Sequence, residues 1–294
     1  MFPNALANGR SRSDKEKRLL ATKLHMVSEL TTRTINKLTH SANEWMSFLH
    51  SAAWLYKYPW HEQVMIYAQR PDATACAPIA LWNDTFHRWV NKGAKGIALI
   101  DDSGAKPALR YVFDASDTNS RSSVPFRLWG AKRQQYEQIV AELQNHFGDA
   151  DIHMGTIQEY IMGVVANAVS DNYKDYANEL INAHGGSGLG DKGASEIDVI
   201  LFLHLIPSVT YATLVRMGID PHPVINADSF PELALFDTPD TVAQLGAATA
   251  DISEMVLWQI ERTVRSIERQ EHGRLANAAE VSQNEDRKDE RSGE

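Results

Sequence analysis

Apolar residues recur at helical spacing from about Leu19 to Leu38, after residues 1–18 that read as a flexible basic leader. This first helix is free to stand apart from the core. Ser41, with Glu44 three residues on, has the pattern of a helix N-terminus, and Trp45, Phe48, Leu49, Ala52 and Leu55 continue it at helical spacing. A second helix is expected after Pro59, carrying Val64, Met65, Tyr67 and Ala68 and stopped by Arg70-Pro71-Asp72. A third runs from about Pro78 to Asn91, with Trp82, Phe86 and Trp89 at i, i+4 and i+7 on one face.

The period then changes from helical to alternating. Lys92-Gly93-Ala94-Lys95-Gly96 reads as a turn, Ile97 to Ile100 as a strand, Asp102-Ser103-Gly104 as a second turn, and Leu109 to Phe113 as the return strand of a hairpin. From Lys132 onward the pattern is mainly helical, with segments at about 132–147, 156–170, 171–184, 195–217 and 239–271. The last opens with Thr238-Pro239-Asp240 as cap and first turn. The polar, charged residues beyond 271 read as a disordered tail.

The fold class is therefore α+β, with helices packed on a small antiparallel β-hairpin or sheet and followed by a mainly helical region. The expected organisation is a basic leader and helix over 1–40, an α+β module over 41–131, an acidic helical region over 132–271 and a charged tail over 272–294.

Charge divides the chain in the same place. Residues 1–133 hold 19 Lys and Arg against 11 Asp and Glu, whereas residues 134–294 hold 10 against 27. The net charge of −9 thus conceals a basic half and an acidic half, and an asymmetry of this size points to one polyanion-facing half. With 43% hydrophobic residues, the chain can bury one large core or two modest ones. The longest apolar stretch, Ile197 to Pro207, is interrupted by Asp198 and His204 and falls short of the roughly 20 residues a bilayer span needs. No membrane partner is expected. The first residues lack the apolar core of a secretory signal and Cys76 is the lone cysteine, so a reducing cytoplasm is the expected compartment.

Several motifs resemble sites without completing them. His61-Glu62-Gln63-Val64-Met65 begins like a zinc-protease helix, but Met65 stands where the second histidine ligand belongs. Gly188-Leu189-Gly190-Asp191-Lys192-Gly193 matches a dinucleotide fingerprint in letters only, since the preceding segment reads as a helix instead of a strand, and a flexible inter-helix linker is expected there. His222, between two prolines, has no evident metal partner. No metal, cofactor or catalytic residue is expected.

The cations of the first half are more informative. Arg70, Arg88, Lys92, Lys95 and Arg110 all fall on or beside turns, two of whose glycines permit close backbone approach, which fits phosphate contact. Tyr58 and Trp60 flank Pro59 in a connection and are the candidate base-stacking platforms, whereas Trp82, Phe86 and Trp89 read as core.

The run Ala68-Gln69-Arg70-Pro71-Asp72-Ala73-Thr74, then Trp82, Arg88 and Val90, then Lys92-Gly93-Ala94-Lys95-Gly96-Ile97-Ala98-Leu99, resembles the N-terminal domain of ArdC-like antirestriction proteins. The resemblance covers roughly residues 42–115. It implies a non-enzymatic domain that binds single-stranded DNA, of the kind carried by plasmids, phages and conjugative transposons, with conjugation or helicase proteins as further partners. That family often continues into a zinc metallopeptidase domain, but no HExxH occurs here, and the expected third ligand aligns with Pro207. The second half reads either as a relic of such a domain or as an acidic helical domain; neither implies peptidase activity. The alternative to DNA binding is a protein-interaction scaffold whose basic turn merely caps a helix.

Overall fold

A computed structural model describes the backbone of residues 6–120, 126–150 and 155–292, and the side chains of 15–120, 126–150 and 155–274. Its elements run α1 (Leu6–Leu38), α2 (Ala42–Trp54), α3 (Trp60–Gln69), β1 (Cys76–Ala77), α4 (Ile79–Asp84), β2 (Arg88–Val90), β3 (Ile97–Asp101), β4 (Ala108–Asp114), β5 (Thr118–Ser120), α5 (Tyr136–Phe147), α6 (Ile157–Asn172), α7 (Lys174–Ala183), α8 (Ala194–Met217) and α9 (Pro239–Ser292). The fold is α+β, with the helical region towards the C-terminus. All strand pairs are antiparallel, in a three-stranded sheet of order β1-β4-β3 and a two-stranded sheet of β2 and β5.

Local chemistry sets many of the boundaries. The Ser41 Oγ accepts from the Glu44 N–H at 3.2 Å and starts α2. Thr156 and Glu159 form a reciprocal capping box that starts α6. Gly218, at φ 77°, ends α8 in the left-handed conformation, with the Ile219 N–H returning to the Leu214 carbonyl. Pro71 follows the end of α3 at Gln69.

Four expectations are corrected at the level of elements. The helix expected over 78–91 ends at Asp84; His87 turns the chain at φ 51°, and Arg88–Val90 becomes β2, paired with Thr118–Ser120. The i, i+4, i+7 spacing of Trp82, Phe86 and Trp89 is therefore not a helical face. Val90 faces a small core while Trp89 points outward, the alternation of a strand. The leader and the tail are also corrected, because α1 begins at Leu6 instead of Leu19 and α9 continues to Ser292. Both segments extend helices already nucleated by their packed portions, so good helix formers such as Arg, Lys, Glu and Gln propagate without a new nucleation cost. The C-terminal part of α1 does not stand apart: Leu38 is buried and Val27 packs under the hairpin.

Three clusters of buried side chains organise the interior. The largest joins Trp45, Phe48, Trp60 and Val64 from α2 and α3 to the buried faces of α5 through α9, so the main core crosses the charge boundary near residue 133. Trp45 Nε1 donates to Ser208 Oγ at 2.9 Å and ties α2 to α8. The opposite face of α3 carries Met65 and Ile66 into a second cluster with Ile97, Leu99 and Val112 of the hairpin. A third surrounds Trp82, whose Nε1 donates to the Phe113 carbonyl at 2.8 Å.

By length and composition α8 could cross a membrane, with a mean hydropathy of 1.7 over its most apolar window, but 72% of that window is buried among neighbouring helices. The glycines expected to form a flexible linker instead sit in a pinned turn. Gly188 donates to Asp237 Oδ1 at 2.9 Å, and a Cβ there would lie 2.9 Å from the Leu235 backbone.

Candidate nucleic-acid interface

The loop after α3 is a scaffold for the hairpin. Gln69 uses its side-chain amide as a surrogate strand, donating to the Ala98 carbonyl at 2.8 Å and accepting from the Ala98 N–H at 2.9 Å. Asp114 gathers the other side of the loop, accepting from the N–H groups of Thr74, Ala75 and Ser116. Burial alone would raise the Asp114 carboxyl, but these donors and the Ser116 hydroxyl hold it below the ordinary carboxylate value.

Against this scaffold the seven expected contact residues separate. Arg70 pairs with Asp117 and donates to Ser116 Oγ at 2.7 Å, and its side chain is only 25% exposed. Arg110 pairs with Glu62 from α3. Arg88 donates to Thr118 Oγ1 and to the Thr118 carbonyl, both at 2.7 Å, with its guanidinium 5.4 Å from the centre of the Phe126 ring. These three arginines hold the sheet together, and phosphate contact would compete with partners they already have.

Trp60 is corrected outright as a stacking platform. It is buried in the main core, its ring centre 5.0 Å from that of Phe48, and a Cβ on Gly246 would fall 2.4 Å from it. Proline at 59 opens a helix rather than a solvent-facing connection, and the first residue of that helix points inward. Tyr58 is half-buried and donates its hydroxyl to the Cys76 carbonyl at 2.7 Å, and burial pushes its phenol up. Its ring can face a ligand only from the cleft that it lines.

Lys92 and Lys95 remain. Both are exposed, and neither has an ion-pair partner among the described residues. They project from the turn between β2 and β3, where Gly93 takes φ 90° and the Ala94 N–H closes on the Asn91 carbonyl at 3.0 Å. Two aromatics flank this turn: Trp89, which the sequence spacing assigns to the core, and Tyr111, to which it assigns no role. Trp89 is 45% exposed three residues before Lys92, and Tyr111 is 40% exposed with its ring against Gly96. Forming β2 as a strand puts Trp89 outward, which the helical reading of residues 78–91 conceals, whereas Tyr111 stays exposed on the same face of β4 as the buried Phe113.

A cleft of about 390 Å³ opens between the α2–α3 connection, α4, residues 126–129 and the ends of α8 and α9. Its lining is largely aromatic: Tyr56 packs edge-on against Trp129, Trp82, Phe86 and Phe126 pack against one another, and Tyr58 lines it as well. Arg216 lies 3.7 Å over the Trp129 ring, donates to the Trp129 carbonyl at 2.7 Å and is only 2% exposed. Burial lowers its guanidinium to about 10, so it stays charged at neutral pH. Its Nε has no hydrogen-bond partner among the described residues.

Beside it, Glu261 accepts from Tyr56, from Lys57 at 2.7 Å and from Arg265 at 2.8 Å. Burial alone would raise this carboxyl, but the three donors outweigh burial and hold it down to about 2. A shallower groove continues from the cleft past Thr74, Phe126 and Leu128 to Arg88 and Ser116, linking it to the β2 side of the sheet. Sequence spacing could not assemble this site, since Tyr56, Trp129, Arg216 and Glu261 are far apart in the chain. Cys76 lines the same cleft, and burial raises its thiol to about 12.

Among the described residues, no group of three or more His, Cys, Asp or Glu is placed to hold a metal. Comparison with protein-family models, with curated proteins and with solved structures finds no match for this chain.

Proposed function

We propose that this chain is a non-enzymatic single-stranded DNA-binding protein of the antirestriction type, belonging to a mobile genetic element and acting in the cytoplasm. The observation that carries the reading is the Lys92–Gly96 turn. It presents two lysines without an ion-pair partner among the described residues, between two exposed aromatics, Trp89 and Tyr111, in the basic half of a chain that is acidic overall. Unpaired lysines neutralise phosphates, and exposed rings stack on bases that a single strand leaves open; neither feature reads sequence. Duplex DNA hides its base faces, so it would gain only the phosphate contacts. The ArdC-like resemblance over residues 42–115 supports the same reading, and the Gln69, Arg70 and Asp114 contacts give part of its motif a scaffolding role.

The test is fluorescence anisotropy of a labelled 20-nucleotide strand and of its duplex at low salt. Binding that favours the single strand supports the proposal, and absence of binding to either overturns it.

A second reading, a scaffold for conjugation or helicase proteins, is favoured by one observation. Leu19, Leu20, Met26 and Leu30 are exposed along α1, with Met26 62% exposed. That reading expects Leu19→Glu/Met26→Glu to abolish partner capture while leaving DNA binding intact.

A further inference from the structure

The aromatic cleft is a built site that the turn does not need. Most open hydrogen-bonding groups in its floor are already used. Trp129 Nε1 donates to the Tyr56 hydroxyl at 3.0 Å, that hydroxyl donates to Glu261, and the Glu261 carboxylate also accepts from Lys57 and Arg265. Arg216 is the exception. It is a buried cation 3.7 Å over the Trp129 ring, with an Nε that has no partner among the described residues, and it lines the cleft. A buried donor without a partner costs roughly 1–3 kcal/mol, more when charged, which makes the floor of the cleft an under-satisfied cationic position.

The rest of the lining specifies that ligand. A largely aromatic lining suits a flat ring. Lys57, Arg127, Arg216 and Arg265 face one carboxylate that is already neutralised, so the cleft favours an anion. Lys57 and Arg265 have side chains 57% and 60% exposed, and Arg127 is exposed, which puts three cations at the mouth and one in the floor. A volume of about 390 Å³ lies within the range of small-molecule sites, roughly 300–1,000 Å³. A flat ring with acceptor atoms on its edge, joined to a phosphate, satisfies all three features.

We infer that this cleft captures one unstacked nucleotide unit, its base among the aromatic side chains with an acceptor edge towards Arg216, and its phosphate at Arg127, where Lys57 and Arg265, although paired with Glu261, keep the mouth net positive. The unit has two possible sources, a base of a bound strand or a free nucleotide, and assigning it to a strand rests on the single-strand reading above. The groove from the cleft past Phe126 to Arg88 gives a strand a continuous route between this subsite and the β2 side of the sheet.

The experiment uses the full chain and intrinsic tryptophan fluorescence, since Trp54, Trp82 and Trp129 all line the cleft. Oligodeoxythymidylate of 12 residues and thymidine 5′-monophosphate are titrated separately into wild type, Phe86→Ala/Arg127→Ala and Lys92→Ala/Lys95→Ala. Phe86 is 40% exposed but packs on Trp82 and Phe126, so the first pair should lower the melting temperature modestly, and a cooperative melt well above the assay temperature verifies that it is folded. The inference expects both ligands to quench, and the cleft pair to weaken both by roughly tenfold, the scale of one stacking contact and one phosphate contact. The turn pair should weaken the oligomer alone.

Oligomer binding that the cleft pair leaves unchanged overturns the inference while the single-strand reading stands. Binding of the monophosphate without the oligomer supports the cleft as a free-nucleotide site and removes the single-strand reading. Binding of neither overturns both.

Discussion

Gly246→Ala sets two physical effects against each other, and the geometry decides between them. In an ordinary helix interior, alanine is preferred over glycine by about 1 kcal/mol. Gly246, however, lies in α9 directly over the Trp60 ring, where an added Cβ would stand 2.4 Å from Cδ2, Cε3 and Cζ3. Carbon atoms pack best at about 3.5–4.0 Å, so the ring or the helix must retreat by more than about 1 Å. The ring has little room, being 6% exposed and in contact with Phe48 and Trp45. Overpacking of this kind costs about 3 kcal/mol at the upper end of its usual range, which leaves a net destabilisation of about 2 kcal/mol.

Urea unfolding followed by tryptophan fluorescence should show the midpoint falling by about 0.7–1 M, for a slope of about 2–3 kcal/mol/M. Trp60→Leu should be destabilising alone, yet combining it with Gly246→Ala should cost less than the sum by more than about 1 kcal/mol, because the methyl then fills space the indole left. Stabilisation by Gly246→Ala, or simple additivity, would refute the packing argument and reopen Trp60 as a surface residue.

The remaining predictions separate scaffold from interface. Arg88→Ala should lower stability by about 1–3 kcal/mol, because Thr118 and the β2–β5 pairing lose their link, whereas Lys92→Ala/Lys95→Ala should change it by less than about 0.5 kcal/mol; paired thermal melts check both. Glu261 is held down to about 2 from an ordinary 4.5, so its stabilising contribution is complete above pH 4.5 and is lost as pH falls towards 2. Glu261→Gln should therefore be less stable than wild type at pH 7 by up to about 3 kcal/mol, with the difference vanishing near pH 2 in acid-titrated urea melts. The Cys76 thiol, raised to about 12 from an ordinary 9.0, should react with a disulfide reagent at pH 8 more slowly in the native chain than in urea, by at least about thirtyfold once the greater nucleophilicity of a more basic thiolate is counted.

The hairpin, the helices after residue 132 and the cap at Ser41 were legible because their signals are local: period, turn residues and a carboxylate three positions after a hydroxyl. β2 was not, because three residues with a tryptophan spaced seven from another fit a helix as well as a strand, and only pairing with the polar Thr118–Ser120 decides. For the candidate site, the sequence located the Lys92–Lys95 turn but could not tell a free cation from a paired one. Arg70 and Arg110 have acidic partners from elsewhere in the fold, Asp117 and Glu62, and that pairing is a tertiary fact. The cleft was illegible for the same reason, since Arg216 meets Tyr56 and Trp129 only through the packing of α8 against the α2–α3 connection.

The central claim is that Lys92 and Lys95 meet the phosphates of a single strand. The most direct test is the salt dependence of single-strand binding by anisotropy, for wild type and Lys92→Ala/Lys95→Ala. The account predicts a linear fall of log affinity with log salt, and a slope shallower by about 1.4 in the double variant, the loss of two single-strand phosphate contacts. An identical slope in the two proteins, or no binding at the lowest salt, would contradict it.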